Sequence, residues 1–571
     1  METTVKRSHP KGLWYLFGTE MWERFGYYLM LGIFSLYMLD GWNNGGMGFD
    51  PAKKSDIYGT YLGLVYLTPF IGGLLADRVL GYRRSIIMGG LMMAAGYFLL
   101  SIHSITTFYV ALFCIILGNG FFKPNISTLV GNLYSGDDMK DKKDAGYNIF
   151  YMGINVGAFI CNFVAAYMRI NYGWGHAFAA AGVGMLIGVV VFLIGTKHIK
   201  HVDVIKPVKE GDMSTGKILG LTVLPMFIFG IIGYMIPGNF LGSDTNDAFI
   251  IGCIPVIGFF IYLAFKAEAK ESRAIKALLA VFTCVILFFA IFHQNGDALT
   301  VWAEDHTDRN MPTAVSNVAD KLGMAQVVVN NDIVSADQAT FDKTIEEMRA
   351  KEAAMPAVSK EEIVAKGKYS SEIGQLEKSR KYFATLPGDQ IPAKGTNLKL
   401  YSTELYQSIN PFWVVVLTPL VVGVFSWLRR RKKEPSTPTK IFIGLVITAL
   451  SALVMVGAVF ATNDLTMKAS SWWLIASYGV ITIGELCLSP MGLSLVSKLS
   501  PPRITALMMG GFFLAISVGN KLSGMLSSLW EEMPQKENFF FLNFGLVLAA
   551  AIVLLLMLKW LNKVMKENNV A

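Results

Sequence analysis

Apolar stretches of about 20 residues recur along almost the whole chain, and each is long enough to cross a bilayer core as a helix. Fourteen such spans can be laid out, at about 11–40, 54–76, 80–102, 106–134, 145–170, 175–196, 217–237, 247–266, 275–303, 408–428, 440–461, 470–496, 503–529 and 538–561. Charged residues make up only 16% of the 571, against about a quarter in a soluble protein. The period-2 alternation of a transmembrane barrel is absent. Met1–Lys11 is short and polar, and the run behind it is too long for an h-region, so no cleavable signal peptide is expected. The chain reads as an all-α polytopic membrane protein.

An even number of spans puts both termini on one side. Basic clusters at Arg78/Arg83/Arg84, Lys140/Lys142/Lys143, Lys197 to Lys209, Lys266 to Lys276, Arg429 to Lys433 and Lys559/Lys563/Lys566 fall in alternate loops. The positive-inside rule makes that side the cytoplasm of a cell (inner) membrane. This placement, rather than nucleic-acid binding, accounts for the net charge of +8. All five Cys (Cys114, Cys161, Cys253, Cys284 and Cys487) lie in apolar segments and read as packing residues, with no disulfide or metal framework.

The expected organisation is a six-helix bundle over 1–200, then a basic linker with two additional spans over 201–270. The first helix of a second bundle follows at 271–303, and its other five helices at 408–571. Two pseudo-symmetric bundles of this kind meet around a central cavity. Between them lies a polar insert, 304–407, placed outside the cytoplasm by the span count. Within it, Val327–Val334 is expected as a short strand. Ala336–Ala353 has a helical pattern, with Phe341, Ile345 and Met348 on one face.

Charges inside the spans carry the functional signal. Between Leu13 and Leu39 the only ones are Glu20, Glu23 and Arg24. At 100° per residue they share one face with Tyr27 and Leu31. A charge facing lipid at mid-span costs about 2.5–3.5 kcal/mol on insertion scales, so this face must look into a bundle or a wet cavity. A structural pair of Glu20 with Arg24 at i,i+4 is one reading, but it leaves Glu23 without a base. Lys123, before the helix-breaking Pro124 in "LGNGFFKPNISTL", would bring the group to neutrality. Protonating one Glu would then free a cation to hold a carboxylate.

In the second half Glu485 lies mid-span in "ITIGELCLSPMGL", followed by Ser489 and Pro490. It could bind an ammonium group, or simply be a packed acid. Cations in one half and an acid in the other suit a zwitterion with separated charges. Asn155 and Asn410 can bond a peptide backbone or glue helices together. Tyr27, Tyr28, Tyr66, Phe289 and Phe512 could line side-chain pockets or belong to plain cores.

These residues together resemble the proton-dependent oligopeptide transporters, the peptide branch of the major facilitator superfamily. Glu20, Glu23, Arg24, Phe25, Tyr27 and Tyr28 match that family's E-x-x-E-R-F-x-Y-Y. "GGLLADRVLGYRR" (Gly72–Arg84), "KPN" (Lys123–Asn125), "YNIFYMGINVGAF" (Tyr147–Phe159) and "GELCLSPMGL" (Gly484–Leu493) match in both halves, leaving out the insert. The resemblance implies a major facilitator fold and di- and tripeptide uptake driven by protons through alternating access. Arg24 and Lys123 would hold the peptide carboxylate, Glu485 its amino terminus, and Asn155 and Asn410 its backbone, with Tyr27 and Tyr66 nearby. Glu20 and Glu23 would belong to the coupling network. The protein would be no enzyme, would use no cofactor beyond the coupling proton, and would act as a monomer in the bilayer.

Three positions depart from the family. Leu31 stands where many members carry a second Arg, and its usual acidic partner is His293 in "FHQNGD". The outer gate must therefore close by other contacts. Phe512 replaces an aromatic that is often Trp. His293 could be a protonation site or a helix contact, with Asp297 one turn on as its candidate partner. Another small zwitterion or anion remains the alternative substrate, and a sensor built on a transporter fold the alternative class.

Overall fold

The computed structural model describes residues 8–135, 139, 142–204, 214–356, 359–501 and 504–568. Lys140, Lys206 and Lys209 of the basic loops lie outside them. Helices dominate: α1 (Lys11–Leu39), α2 (Pro51–Leu75), α3 (Tyr82–Leu100), α4 (Ile105–Leu133), α5 (Lys143–Tyr172) and α6 (Trp174–Ile199) form the first bundle. α1 packs on α5 and α6, α3 on α4 and α6, and α2 on α4. Two glycines permit the last contact, since a Cβ on Gly72 would sit 2.0 Å from the Gly120 carbonyl oxygen. The Gly72–Arg84 segment ends in a π turn over Ala76–Leu80, and Gly81 takes φ +79°. The start of α3 is capped from beyond α6, where the Asp203 carboxylate accepts from Tyr82 N at 2.9 Å.

The additional pair is α7 (Thr215–Leu221) with α8 (Val223–Met235), interrupted at Thr222, and then α9 (Asp244–Lys266). α10 (Ala269–Phe292) opens the second bundle, which α15 (Ile409–Arg430), α16 (Thr437–Ala461), α17 (Ser471–Leu499), α18 (Thr505–Glu532) and α19 (Lys536–Glu567) complete. Eleven of the described helices are long and apolar enough to cross a membrane. α1, α3 and the shorter apolar helix Leu219–Met235 supply the other three expected spans. The ninth is not continuous: α10 yields at His293–Gly296 to a 3₁₀ turn, and α11 (Ala298–Asp305) resumes beyond it. The two bundles meet along α2 against α18 and α5 against α15, as pseudo-symmetry requires.

The insert folds on its own small core of Val328, Val334, Phe341, Leu376, Tyr382, Phe383, Leu386 and Leu400. Its first piece is the two-residue strand β1 (Thr307–Asp308), followed by α12 (Thr313–Lys321). β2 spans Ala325–Asn330, beginning two residues and ending four residues before the expected strand, and pairs antiparallel with β3 (Thr396–Tyr401). α13 (Gln338–Ala354) buries Phe341 as its pattern demands. α14 (Lys360–Phe383) starts with a Ser359–Glu362 capping box, and its apolar residues are too sparse to mark a helical face in the sequence.

Candidate functional site

α1 presents Glu20, Glu23, Arg24 and Tyr27 to the bundle interior, all buried. The ion pair differs from the i,i+4 expectation. Glu23, adjacent in sequence, grips the Arg24 guanidinium with both carboxylate oxygens, at Nε and, at 2.5 Å, through Nη2. Glu20 reaches Nε only at 3.5 Å through Oε1, and its Oε2 is buried without a hydrogen-bond partner. The acid left over is therefore Glu20, not Glu23. The bidentate fork explains the exchange, because two parallel charge-assisted bonds outweigh one longer contact. Below the guanidinium lies the Tyr27 ring at 4.8 Å, with Tyr28 at 6.0 Å.

Asn119, which composition alone did not single out, completes the support. It is fully buried on α4, donates to Val65 O at 2.9 Å, and offers Oδ1 to Arg24 at 3.4 Å. Its position one turn before Lys123 in "GNGFFKP" was the available signal. Lys123 itself makes no ion pair with Glu20 or Glu23 among the described contacts. Its ammonium rests 4.3 Å above the Tyr66 ring instead.

Tyr66 on α2 is the hub. Lys123 of the first bundle covers its face. The His293 ring stands edge-on at 5.7 Å. Glu485 is half-buried and accepts from Asn410 at 3.3 Å; the same amide donates to Thr482 at 2.9 Å. Asn155 folds back to donate to Tyr151 O at 3.1 Å. Ser489 is half-buried one turn beyond Glu485. Phe289 stacks on His293 at 5.6 Å. Phe512, at 1% exposure, packs edge-on against Phe282 and against Gly492.

The expected pairing of His293 with Asp297 does not form. Asp297 is bonded to Lys54 of α2, both side chains enclosed at 0% and 3% exposure. The 3₁₀ turn at His293–Gly296 causes this, because it takes Asp297 out of the α10 register. Ser35 of α1 donates to Gly296 O at 2.7 Å beside it. A second bridge joins Arg169 of α5 to Glu404 at 2.8 Å and to Ser402 at 2.8 Å. Further ties run from Asn162 to Ser408 at 3.0 Å, and from Lys521 to Asp56 at 2.6 Å. These contacts all lie in the insert-side portions of α1, α2 and α5. Leu31, at the position of the missing Arg, packs as an apolar residue on the first bundle's core.

The family model described as POT family (PTR2) matches residues 83–324 and 394–544. The chain belongs to the POT family. Residues 325–393, within the insert, fall outside the match. The chain is 29% identical to a di-/tripeptide transporter of Lactococcus lactis, over 98% of its length and 97% of the relative's. A peptide transporter of Yersinia enterocolitica is 28% identical, with 96% and 94% covered. Among solved structures, the crystal structure of a peptide transporter POT in complex with sulfate superimposes with TM-score 0.73 at 28% identity, covering 98% and 97%. The two-bundle architecture of this POT member is thus the major facilitator fold.

Proposed function

We propose that the protein is a proton-coupled symporter importing di- and tripeptides through a multi-pass fold, working as a monomer. Its termini would be cytoplasmic and its insert-side face extracytoplasmic. The observation that carries this reading is that the first bundle sets the Lys123 ammonium over Tyr66 while the second sets Glu485 mid-span beside Asn410. A zwitterion lodged in a gap between the two bundles would meet a cation at one end and an acid at the other.

Arg24 is occupied by Glu23 in the present arrangement. A proton on the Glu23 carboxylate removes the charge that holds the guanidinium, and Arg24 then joins Lys123 on the peptide carboxylate. Glu485 takes the peptide ammonium, releasing Asn410 toward the peptide backbone, where Asn155 also serves. Tyr27 and Tyr66 line the gap. Glu20, with an oxygen free of partners, can accept the proton when Glu23 gives it up. Loss of the proton to the cytoplasm restores the Glu23–Arg24 fork and displaces the carboxylate. Lys54–Asp297 and Arg169–Glu404 join the bundles on the insert side, and on this reading they would seal the extracytoplasmic face.

The test is competition by Ala-Ala, N-acetyl-Ala-Ala and Ala-Ala amide for binding to the purified protein. Glu485→Gln should weaken Ala-Ala at least tenfold while scarcely changing the acetylated peptide. Equal losses for both would refute the assignment of the amino terminus to Glu485.

A further inference from the structure

The insert touches both bundles, but in two different ways. Toward the second bundle it is woven in. β1 pairs in parallel with β4 (Ala469–Ser470) in the α16–α17 loop. Lys468 N donates to Thr385 O at 3.1 Å, and Ser471 Oγ donates to Asp308 O at 2.7 Å. Lys381 pairs with Asp305 at 2.7 Å, and the Lys468 ammonium lies 4.5 Å over the Tyr382 ring. These links are backbone pairing, ion pairs and chain continuity together.

Toward the first bundle only side chains and loop atoms meet. Lys378 of α14 reaches Asp40, the residue that ends α1, at 2.9 Å. Ser370 donates to Asn43 O. Gly374 leaves room for Asn44, whose Oδ1 would be 2.6 Å from a Cβ there. Asn171, at the end of α5, donates to Gly323 O at 2.7 Å. Lys378 is 38% exposed, so its pair with Asp40 is open to screening. Beneath this seam lies a cavity of about 270 Å³, lined by Leu36, Asp40 and Arg169 of the first bundle, Glu304 of the second, and Arg349 and Lys378 of the insert. α14 forms one wall of it.

We infer that the insert is a clasp over this face: it moves with the second bundle and lets go of the first in every transport cycle. Two of the positions lost from the helices, the missing Arg at Leu31 and its acid at His293, would have held the same face shut from within. The clasp adds closure from without, through the exposed Lys378–Asp40 pair and the loop contacts, with the buried Arg169–Glu404 bridge at its base parting in the same step. Asp40 is held in place for it by Trp174 Nε1 at 2.9 Å and Asn44 Nδ2 at 3.1 Å. The inference rests on the alternating-access reading above.

The decisive experiment is a reversible crosslink across the seam in the full chain. Asn44→Cys with Gly374→Cys places two thiols where the Asn44 side chain already meets Gly374, its Cγ 2.8 Å from a Cβ built there, within reach of a disulfide. Of the native cysteines four are buried and Cys114 is partly so. In proteoliposomes, oxidation should slow Ala-Ala uptake at least tenfold, and dithiothreitol should restore it. Each single variant should be indifferent to oxidant. Crosslinked protein that transports at its reduced rate would overturn the clasp. If the reduced protein carries no peptide at all, the functional reading fails, and a substrate-free measurement then decides the clasp. Leu36→Cys, under the clasp, should react several-fold faster with an impermeant maleimide when Lys378→Ala and Asn171→Ala are added. Unchanged labelling would overturn the inference.

Discussion

Removing the Lys54 charge should force the insert-side face open. Asp297 is fully enclosed and Lys54 nearly so, and each is the other's charge partner. Breaking a buried pair from one side leaves an uncompensated charge and typically costs about 3–5 kcal/mol. Ser35 Oγ, 3.4 Å from Asp297 Oδ1, offsets a little of that in the closed state. Once the bundles part, water reaches Asp297, so the cost falls on the closed state alone. Taking roughly 3 kcal/mol for Lys54→Gln, the closed-to-open ratio should fall about 100-fold. The assay is the rate at which Leu36→Cys, in the cavity beneath the insert, reacts with an impermeant maleimide. The rate should rise by one to two orders of magnitude in Lys54→Gln and return most of the way in Lys54→Gln/Asp297→Asn, where neither charge is stranded. Unchanged labelling in folded Lys54→Gln would refute the claim that this pair closes the face.

Other substitutions test other parts. Glu23→Gln should free Arg24 and abolish proton-driven accumulation while peptide counterflow persists; Glu20→Gln should reduce accumulation less, because Glu20 holds Arg24 only at 3.5 Å. Gly72→Val should prevent folding of the first bundle, read as loss of monodisperse protein in detergent, since even a Cβ there meets the Gly120 carbonyl. His306, just past α11, is packed between Trp302 and Trp530, and burial pulls its pKa down to about 4 from 6.5. An unfolded chain therefore binds a proton that the folded one refuses between those values, so its contribution is complete above pH 6.5 and is lost as pH falls toward 4. Thermal unfolding of the purified protein between pH 7.5 and 5 should show a smaller drop in His306→Phe than in the parent.

Much of this was legible in the chain because a bilayer leaves few options. Every expected span is helical, the seventh and ninth with a break, since only internally bonded backbone is tolerated at that depth. The buried face of α1 followed from period alone. What periodicity could not give was the partner of each charge. Glu20 and Glu23 are one turn apart, and only the guanidinium's direction decides which takes it. The break at His293–Gly296 was hidden inside an apolar run, and with it the switch of Asp297 from His293 to Lys54. Lys54 sits near the start of a span, where no pattern marks a buried charge. In the insert, β2 and α13 followed from pattern, whereas α14 offers its apolar residues too sparsely to stand out.

The central claim is that a proton tips the Glu23–Arg24 fork to let a peptide in. Uptake of labelled Ala-Ala into proteoliposomes under an imposed inward proton gradient tests it most directly. The account predicts accumulation above the external concentration, competed by di- and tripeptides but not by free amino acids or nitrate, and collapsed by a protonophore. Uptake that ignores the gradient, or that peptides do not compete, would contradict it.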